Sequence, residues 1–412
     1  MASFYIFSFF AIYTQVFLIL TYLERRKEII PTIVDTDRTE YDPVTIIVPC
    51  WNEGKTVKGT LESLLQLDYP KDKLTIKVVD DGSTDDTWQV LQEYRTYQNI
   101  ELIQKENEGG KHYAVNHALE TTTTSFVGCL DADSFVRPDA LKKMMMYFNN
   151  PETMAVAPSM VVHNPENILQ MAQRTEYDLG VFVKKILGFI GGIHVTPGPF
   201  SIYRKKVFDD LGNYRKAHNT EDMEIAYRMQ KHGYKIEQCH DAFVETVTPA
   251  TVYKLYRQRL RWIYGFINNT IDYREMILKS RYGAFSVFTL PTSIIAMLSA
   301  LYLFGFFLVK WGIDLMHTIE RTKVIGFKLP ELSKLTTTFD PFFVNTEMIS
   351  FITVFLYMLL LTSLFIGMYM AHKTWKPHKG MLYFFIIFNF VAPFWLLRAF
   401  YDTIFTRKAS WR

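Results

Sequence analysis

Hydrophobic positions are laid out along this chain in two different ways. Residues 2–22, 284–309, 348–371 and 381–397 carry no charged side chain and are almost wholly apolar or aromatic. About 20 such residues cross a bilayer as a helix, so the pattern predicts one span at the start and about three near the end. Between residues 32 and 281 no comparable run occurs, and apolar residues come in short bursts. The β-branched run at 44–49 predicts a buried strand, and 56–67 repeats its apolar residues at helical spacing. Strands follow at 74–79, 100–104 and 125–130, with helices at 85–94 and 111–119. Strand and helix alternating in this way predict an α/β fold with a mixed, mainly parallel sheet flanked by helices.

In such sheets ligands bind outside the carboxyl ends of the strands. Two predicted strands end in Asp80-Asp81-Gly82-Ser83 and Asp131-Ala132-Asp133, so four carboxylates gather at strand ends. The first span is followed at once by Glu24-Arg25-Arg26-Lys27, and no basic residue precedes it. That arrangement reads as an anchor with Arg25, Arg26 and Lys27 in the cytoplasm rather than as a signal peptide. Three full spans at the other end would carry Arg407, Lys408 and Arg412 outside, against the same tendency. The alternative is that Pro291 breaks the first of those runs into a re-entrant or hairpin segment.

Composition agrees with a polar domain joined to a few spans. Of 412 residues 49% are hydrophobic, and the formal net charge is +3, which gives no argument for nucleic acid. The mean hydropathy of +0.02 is high for a soluble chain and low for a pure membrane bundle. Cys50, Cys129 and Cys239 form no C-x-x-C pair, which excludes a disulfide framework and a cysteine-based zinc site. Neither G-x-G-x-x-G after the first strand nor G-x-x-x-x-G-K-[ST] is present, which disfavours a dinucleotide site or an ordinary P-loop.

Each chemical motif has a plain structural alternative. Asp131-Ala132-Asp133 would set two carboxylates on one side of an extended chain end. Oxygen ligands of that kind suit Mg2+ or Mn2+ shared with a diphosphate; a bare D-x-D is common. Asp80 to Ser83 is either a turn or a nucleotide contact. Asn107-Glu108-Gly109-Gly110-Lys111 is either a glycine turn or a diphosphate site at a helix start. Thr220-Glu221-Asp222 opens an amphipathic helix, with Asn219 or Thr220 as its cap and acidic residues suited to its dipole. Its functional reading makes Asp222 a general base. Gln258, Arg261 and Trp262 stand at i, i+3 and i+4 and share one helix face. They offer an amide, a guanidinium for phosphate and a flat ring for a sugar. The plain alternative is an interfacial membrane helix.

Taken in order, V-P-C-W-N-E at 48–53, V-D-D-G-S at 79–83, D-A-D at 131–133, T-E-D at 220–222 and Q-R-L-R-W at 258–262 resemble the membrane-embedded branch of the family 2 glycosyltransferases. That group includes cellulose, chitin, hyaluronan and poly-N-acetylglucosamine synthases. The resemblance implies a GT-A-like catalytic domain and an inverting, metal-dependent transfer from a nucleotide sugar, with a UDP-sugar such as UDP-GlcNAc a candidate. It implies Glu53 and Asp81 at the nucleoside, Lys111 at the diphosphate, and Asp131 and Asp133 at the nucleotide and an Mg2+ or Mn2+ ion. It further implies Asp222 as the base, and Glu221, Gln258, Arg261 and Trp262 at the acceptor and diphosphate. Residues 196–200, Thr-Pro-Gly-Pro-Phe, occupy the stretch where relatives line the acceptor site and depart from the cellulose-synthase pattern.

The expected organisation is an anchor at 1–23, a cytoplasmic catalytic domain at 24–250, interfacial helices at 251–282, and a transmembrane region at 283–412. Expected partners are the nucleotide-sugar donor, a growing β-linked polysaccharide and the lipids of the plasma membrane. An accessory membrane subunit or a homo-oligomer is expected too, because about four spans are few for a polymer channel. Two alternatives stay open: a single transfer to a lipid or lipid-linked acceptor, and an inactive scaffold that binds nucleotide sugar.

Overall fold

Eight strands, β1 (Val44–Cys50), β2 (Leu74–Asp81), β3 (Ile100–Lys105), β4 (Phe126–Cys129), β5 (Ser134–Val136), β6 (Thr153–Val162), β7 (Ile202–Arg204) and β8 (Lys235–Thr246), build one sheet. Their order is β3-β2-β1-β4-β7-β6-β8-β5 in a computed structural model that describes residues 2–29, 40–325 and 348–405. The pairs β1–β2, β1–β4, β2–β3 and β6–β8 are parallel, and β4–β7, β6–β7 and β5–β8 are antiparallel. The sheet is therefore mixed and mostly parallel, as its apolar pattern predicts. Val44, Ile46 and Val48 of β1 enter one core layer and Ile47 the other. A sheet covered on both faces wants such continuous apolar strands, not alternating ones.

The helices are α1 (Ala2–Arg25), α2 (Val57–Leu65), α3 (Thr87–Gln92), α4 (Lys111–Glu120), α5 (Ala140–Met146), α6 (Ile168–Phe189), α7 (Lys206–Leu211), α8 (Glu221–Lys231), α9 (Val252–Asp272), α10 (Leu290–Ile325), α11 (Met348–His372) and α12 (Gly380–Ile404). One layer of the core gathers α2, α3 and α5 on the sheet, and the other gathers α4, α7 and α8. The long helix α6 lies against β6 and β8, and α12 packs on α6 and α9. Asn268 of α9 donates through Nδ2 to Thr403 Oγ1 of α12 at 3.1 Å.

The segments 3–28, 285–324, 348–372 and 380–404 are long and apolar enough to cross a membrane. At Pro291, the alternative breakpoint, a π-helical turn, Phe285–Thr289, leads directly into α10, and Pro291 is the second residue of that helix. The basic tail residues Arg407, Lys408 and Arg412 lie outside the described residues. Two units divide the chain: Leu18–Pro291 with everything from Ser363 on, and a second made of the first 17 residues and Thr292–Thr362. Within the second, Phe4 meets Phe306 at 5.3 Å between rings, and Ser3 and Tyr302 share a 2.7 Å hydrogen bond.

Candidate active site

The carboxyl ends of β1 and β2 are level, with Cys50 beside Asp80. The chain leaves β1 through Asn52, whose φ of 57° is a conformation that asparagine tolerates better than most residues. The Asn52 N–H donates to Ser83 Oγ at 2.9 Å, and its Oδ1 accepts from the Thr84 N–H at 2.8 Å. Two loops are thereby tied into one wall. Asp80 is fully buried and accepts from the Ser83 N–H at 3.1 Å, so it shapes the turn. Asp81 lies opposite Lys105 in the β2–β3 register, and the two form an ion pair at 2.9 Å. Lys105 also reaches Glu108 at 2.7 Å.

The next corner corrects one expectation. Asp131-Ala132-Asp133 is a turn between β4 and β5, not an extended chain end, and the Ser134 N–H closes it on the Asp131 carbonyl at 3.0 Å. The two carboxylates share a neighbourhood because the chain reverses, not because side chains alternate. Lys111, the first residue of α4, meets Asp131 and stands 3.8 Å from Glu221 Oε1. Burial works against the Lys111 charge, but the pull of Asp131, with Glu221, keeps it protonated. Asp133 has its carboxyl pushed up to about 7, first by burial and then by the like charges of Asp131 and Glu53.

That surplus of negative charge is what a divalent cation would relieve, and hard oxygen donors suit Mg2+ or Mn2+. Among the described residues no group of three or more His, Cys, Asp and Glu forms a ready cage. An ion at Asp133 and Asp131 would draw its remaining ligands from diphosphate oxygens and water, the usual habit of Mg2+.

Asp222 faces the same place from α8. Ala217, His218 and Asn219 all have positive φ, of 37°, 54° and 64°, so the approach to this helix is strained. Thr220 holds the N-cap position without capping: its hydroxyl donates to the Ala217 carbonyl at 3.1 Å and accepts from Asn269 Nδ2 at 2.9 Å. Asp222 Oδ2 accepts from the Gly198 N–H at 3.3 Å, and Thr196 Oγ1 donates to the Asp222 carbonyl at 2.9 Å. A Cβ at residue 198 would lie 2.7 Å from Lys111 Nζ, so glycine lets this loop pass between cation and base. The Asp222 carboxyl is pushed up to about 6 by burial and then by Glu221, against the pull of Lys111 and Arg261.

The helix α9 brings a further basic group. Arg259, which is buried, pairs with Glu176 of α6 at 2.5 Å and donates to Gln258 Oε1 at 3.0 Å. Its guanidinium also lies 4.1 Å from the centre of the Trp262 ring. Gln258 and Trp262 are thus both set by a residue between them, while Arg261 extends its field to Asp222.

The structure brings Glu53, Lys111, Asp131, Asp133, Glu221, Asp222 and Arg261 into one electrostatic neighbourhood. Asp81 stands at the adjoining corner, and its field and that of Glu221 both act on His112, the neighbour of Lys111. Sequence reasoning gave no individual role to Asn52, Lys105, Glu176 or Arg259, and met Gly198 only within the 196–200 stretch. Strand register could have given Lys105; Arg259 lies inside the Q-R-L-R-W motif but off the i, i+3, i+4 face.

The sequence profile of the glycosyltransferase-like family 2 matches residues 42–265, more than half of the chain and the span of this whole rim. A poly-beta-1,6-N-acetyl-D-glucosamine synthase of Staphylococcus epidermidis is 28% identical over 235 residues, 57% of this chain and 57% of its own length. One from Staphylococcus aureus is 28% identical over 233 residues, 56% of each. The chain thus aligns with somewhat over half the length of these relatives. A mannosyltransferase from Pyrobaculum calidifontis, solved with GDP-Man and Mn2+, shares the fold with a TM-score of 0.60. That likeness covers 97% of this chain and 99% of the other at 18% identity. The protein belongs to the glycosyltransferase-like family 2, with a GT-A-like sheet and, among the described residues, four apolar helices long enough to embed it in a membrane.

Proposed function

We propose that this protein is an inverting, metal-dependent synthase that adds N-acetylglucosamine from UDP-GlcNAc to a growing β-linked polysaccharide at the plasma membrane. The observation that carries this reading is Asp222, a buried carboxyl raised to about 6, set between Glu221, Lys111 and Arg261. Similarity to the poly-beta-1,6-N-acetyl-D-glucosamine synthases supports the choice of sugar and polymer.

In the transfer an acceptor hydroxyl attacks the anomeric carbon as its bond to the donor diphosphate breaks, and Asp222 takes the hydroxyl proton. An α-linked donor then yields a β-linkage in a single displacement. Lys111 and Arg261 balance charge that develops on the departing nucleoside diphosphate. Glu53 and Asp81 line the nucleoside side of the rim. Asp133 and Asp131 would hold Mg2+ or Mn2+, which supplies further neutralisation of the diphosphate. Gln258 and Trp262, set by Arg259, offer an amide and a ring face to the acceptor sugar. The catalytic domain occupies 24–250 and faces the cytoplasm, with Arg25, Arg26 and Lys27 beside the membrane; 1–23, 251–282 and 283–412 supply the anchor, interfacial helices and spans. Four candidate spans among the described residues are few for a polymer channel, so an accessory subunit or a second copy completes the path for the polymer.

Purified protein in lipid nanodiscs, given a panel of labelled nucleotide sugars with Mg2+ or Mn2+, tests this. The expected result is UDP release with UDP-GlcNAc and a ladder of long products. Products one sugar longer than the acceptor, or recovered with lipid, would overturn the processive reading.

A further inference from the structure

Away from the rim, a cavity of about 470 Å3 opens between α6 and the loop that joins α11 to α12. Met171 and Arg174 of α6, Glu166 just ahead of it, His378 and Lys379 of the loop, and Gly380 at the start of α12 line this space. Gly380 fits closely, since a Cβ there would lie 2.2 Å from the Met171 carbonyl oxygen. The loop is held firmly. His372 and His378 both hydrogen-bond the buried Asp178 of α6, at 2.8 and 3.4 Å, and Trp375 stacks on Tyr369 with ring centres 4.5 Å apart.

The charges in the cavity are less settled than those of the rim. Among the described residues the side chains of Arg174, Lys379 and Glu166 make no hydrogen bond or ion pair, and Lys373 and Lys376 on the same loop are exposed. The balance is cationic, and two of the cationic residues come from separate elements that Asp178 locks together. Because α11 and α12 are apolar spans, the residues that join them meet the bilayer at headgroup depth, where an exposed Trp375 also belongs.

We infer that this cavity binds the phosphate of an anionic phospholipid headgroup, gripped by Arg174 and Lys379 with His378 beside them. Arginine suits phosphate by its forked donors, and lysine as a compact charge. Glu166 accepts from a hydroxyl of the headgroup, which favours a glycerol-bearing lipid over a bare phosphate. The site goes beyond sugar transfer and does not depend on it. Its seat on α6 matters, because the same helix carries Glu176, the partner of Arg259.

The test uses the full chain in mild detergent, titrated with dioleoylphosphatidylglycerol, with bound lipid counted by native mass spectrometry. Wild type is expected to retain one tightly held lipid that inorganic phosphate at equal concentration does not displace. In Arg174→Gln with Lys379→Gln that lipid should bind about 30-fold more weakly, at about fivefold for each cation. Lys373→Gln with Lys376→Gln removes the same charge outside the cavity and should leave the lipid in place. Equal binding by wild type and the cavity variant would overturn the site, as would equal loss in the loop variant. Displacement by inorganic phosphate would overturn the lipid in favour of a soluble anion. If the double variant does not fold, Lys379→Gln alone alters an exposed side chain and should weaken binding about fivefold.

Discussion

Strand β1 and helix α11 are both strongly apolar, yet the molecule uses them in opposite ways. Val44, Ile46, Ile47 and Val48 are all fully buried, whereas Met348, Phe351 and Val354 of α11 are 60, 65 and 58% exposed. The strand is apolar because two helical layers cover it; the helix is apolar and exposed, with the length and composition that suit a span in lipid. The difference decides where polar chemistry can go. Around β1 the charges are driven to one rim, where they must pair or shift, and along α11 they are expelled to the two ends. The charged cluster described above accordingly gathers at the rim of the sheet and not along α11.

The sharpest break in that comparison is Asp222→Asn. It keeps the size of the side chain and its place beside Gly198 but removes the base. Turnover in the labelled-sugar assay should fall by about 100- to 10,000-fold, the span that positioned acid–base groups contribute. Binding of UDP, read by calorimetry, should change little. A variant that retained more than about a tenth of wild-type turnover would remove Asp222 from its role.

Next in size are paired truncations of the two apolar elements. Ile46→Ala should cost about 2 to 5 kcal/mol of stability in thermal unfolding, from lost transfer energy plus a cavity. Phe351→Ala, at an exposed position, should leave that transition nearly unmoved in a detergent micelle. Equal losses would mean that α11 is packed against protein and not against lipid.

Asp133→Asn sharpens the charge side of the comparison. Burial and the fields of Asp131 and Glu53 already press this carboxyl upward. Its neutral amide should weaken the demand for a counter-cation, and the Mg2+ or Mn2+ needed for half-maximal turnover should rise by at least about tenfold, since losing even a group that only orients a metal ligand costs about that much. An unchanged metal requirement would assign the ion to other groups.

The architecture was legible in sequence because both apolar patterns have sharp physical periods. Continuous runs of about 20 residues and short β-branched bursts cannot be confused. The site was legible only in part. Residue types at 131–133, 220–222 and 258–262 single out groups that the fold gathers at one rim, but the geometric reason offered for Asp131 and Asp133 fails, since a turn joins them. Arg259 was hidden because a buried arginine on an amphipathic helix looks like its exposed neighbours. Only the placement of Glu176, 83 residues earlier, shows that it organises Gln258 and Trp262. The positive φ values at 217–219 carry no glycine signature at all.

The smallest effect is in pH. As the proposed base, Asp222 can take a proton only when ionised, and its folded carboxyl is raised to about 6. Activity should be full above that value, halve near pH 6, and then fall about tenfold per unit, as the proton reoccupies the base. The neighbours fix the sign of any change. Glu221 is the largest charge holding the carboxyl up, so Glu221→Gln should move the acid limb of kcat/KM downward. Arg261 holds it down, so Arg261→Met should move the limb upward. Both shifts should persist at saturating metal, because an ion at Asp133 competes with protons there and leaves the Glu221–Asp222 interaction in place. If both variants instead moved the limb in the same direction, or if saturating metal erased it, the titration would belong to Asp133, and the base would have to be sought on the other side of Lys111.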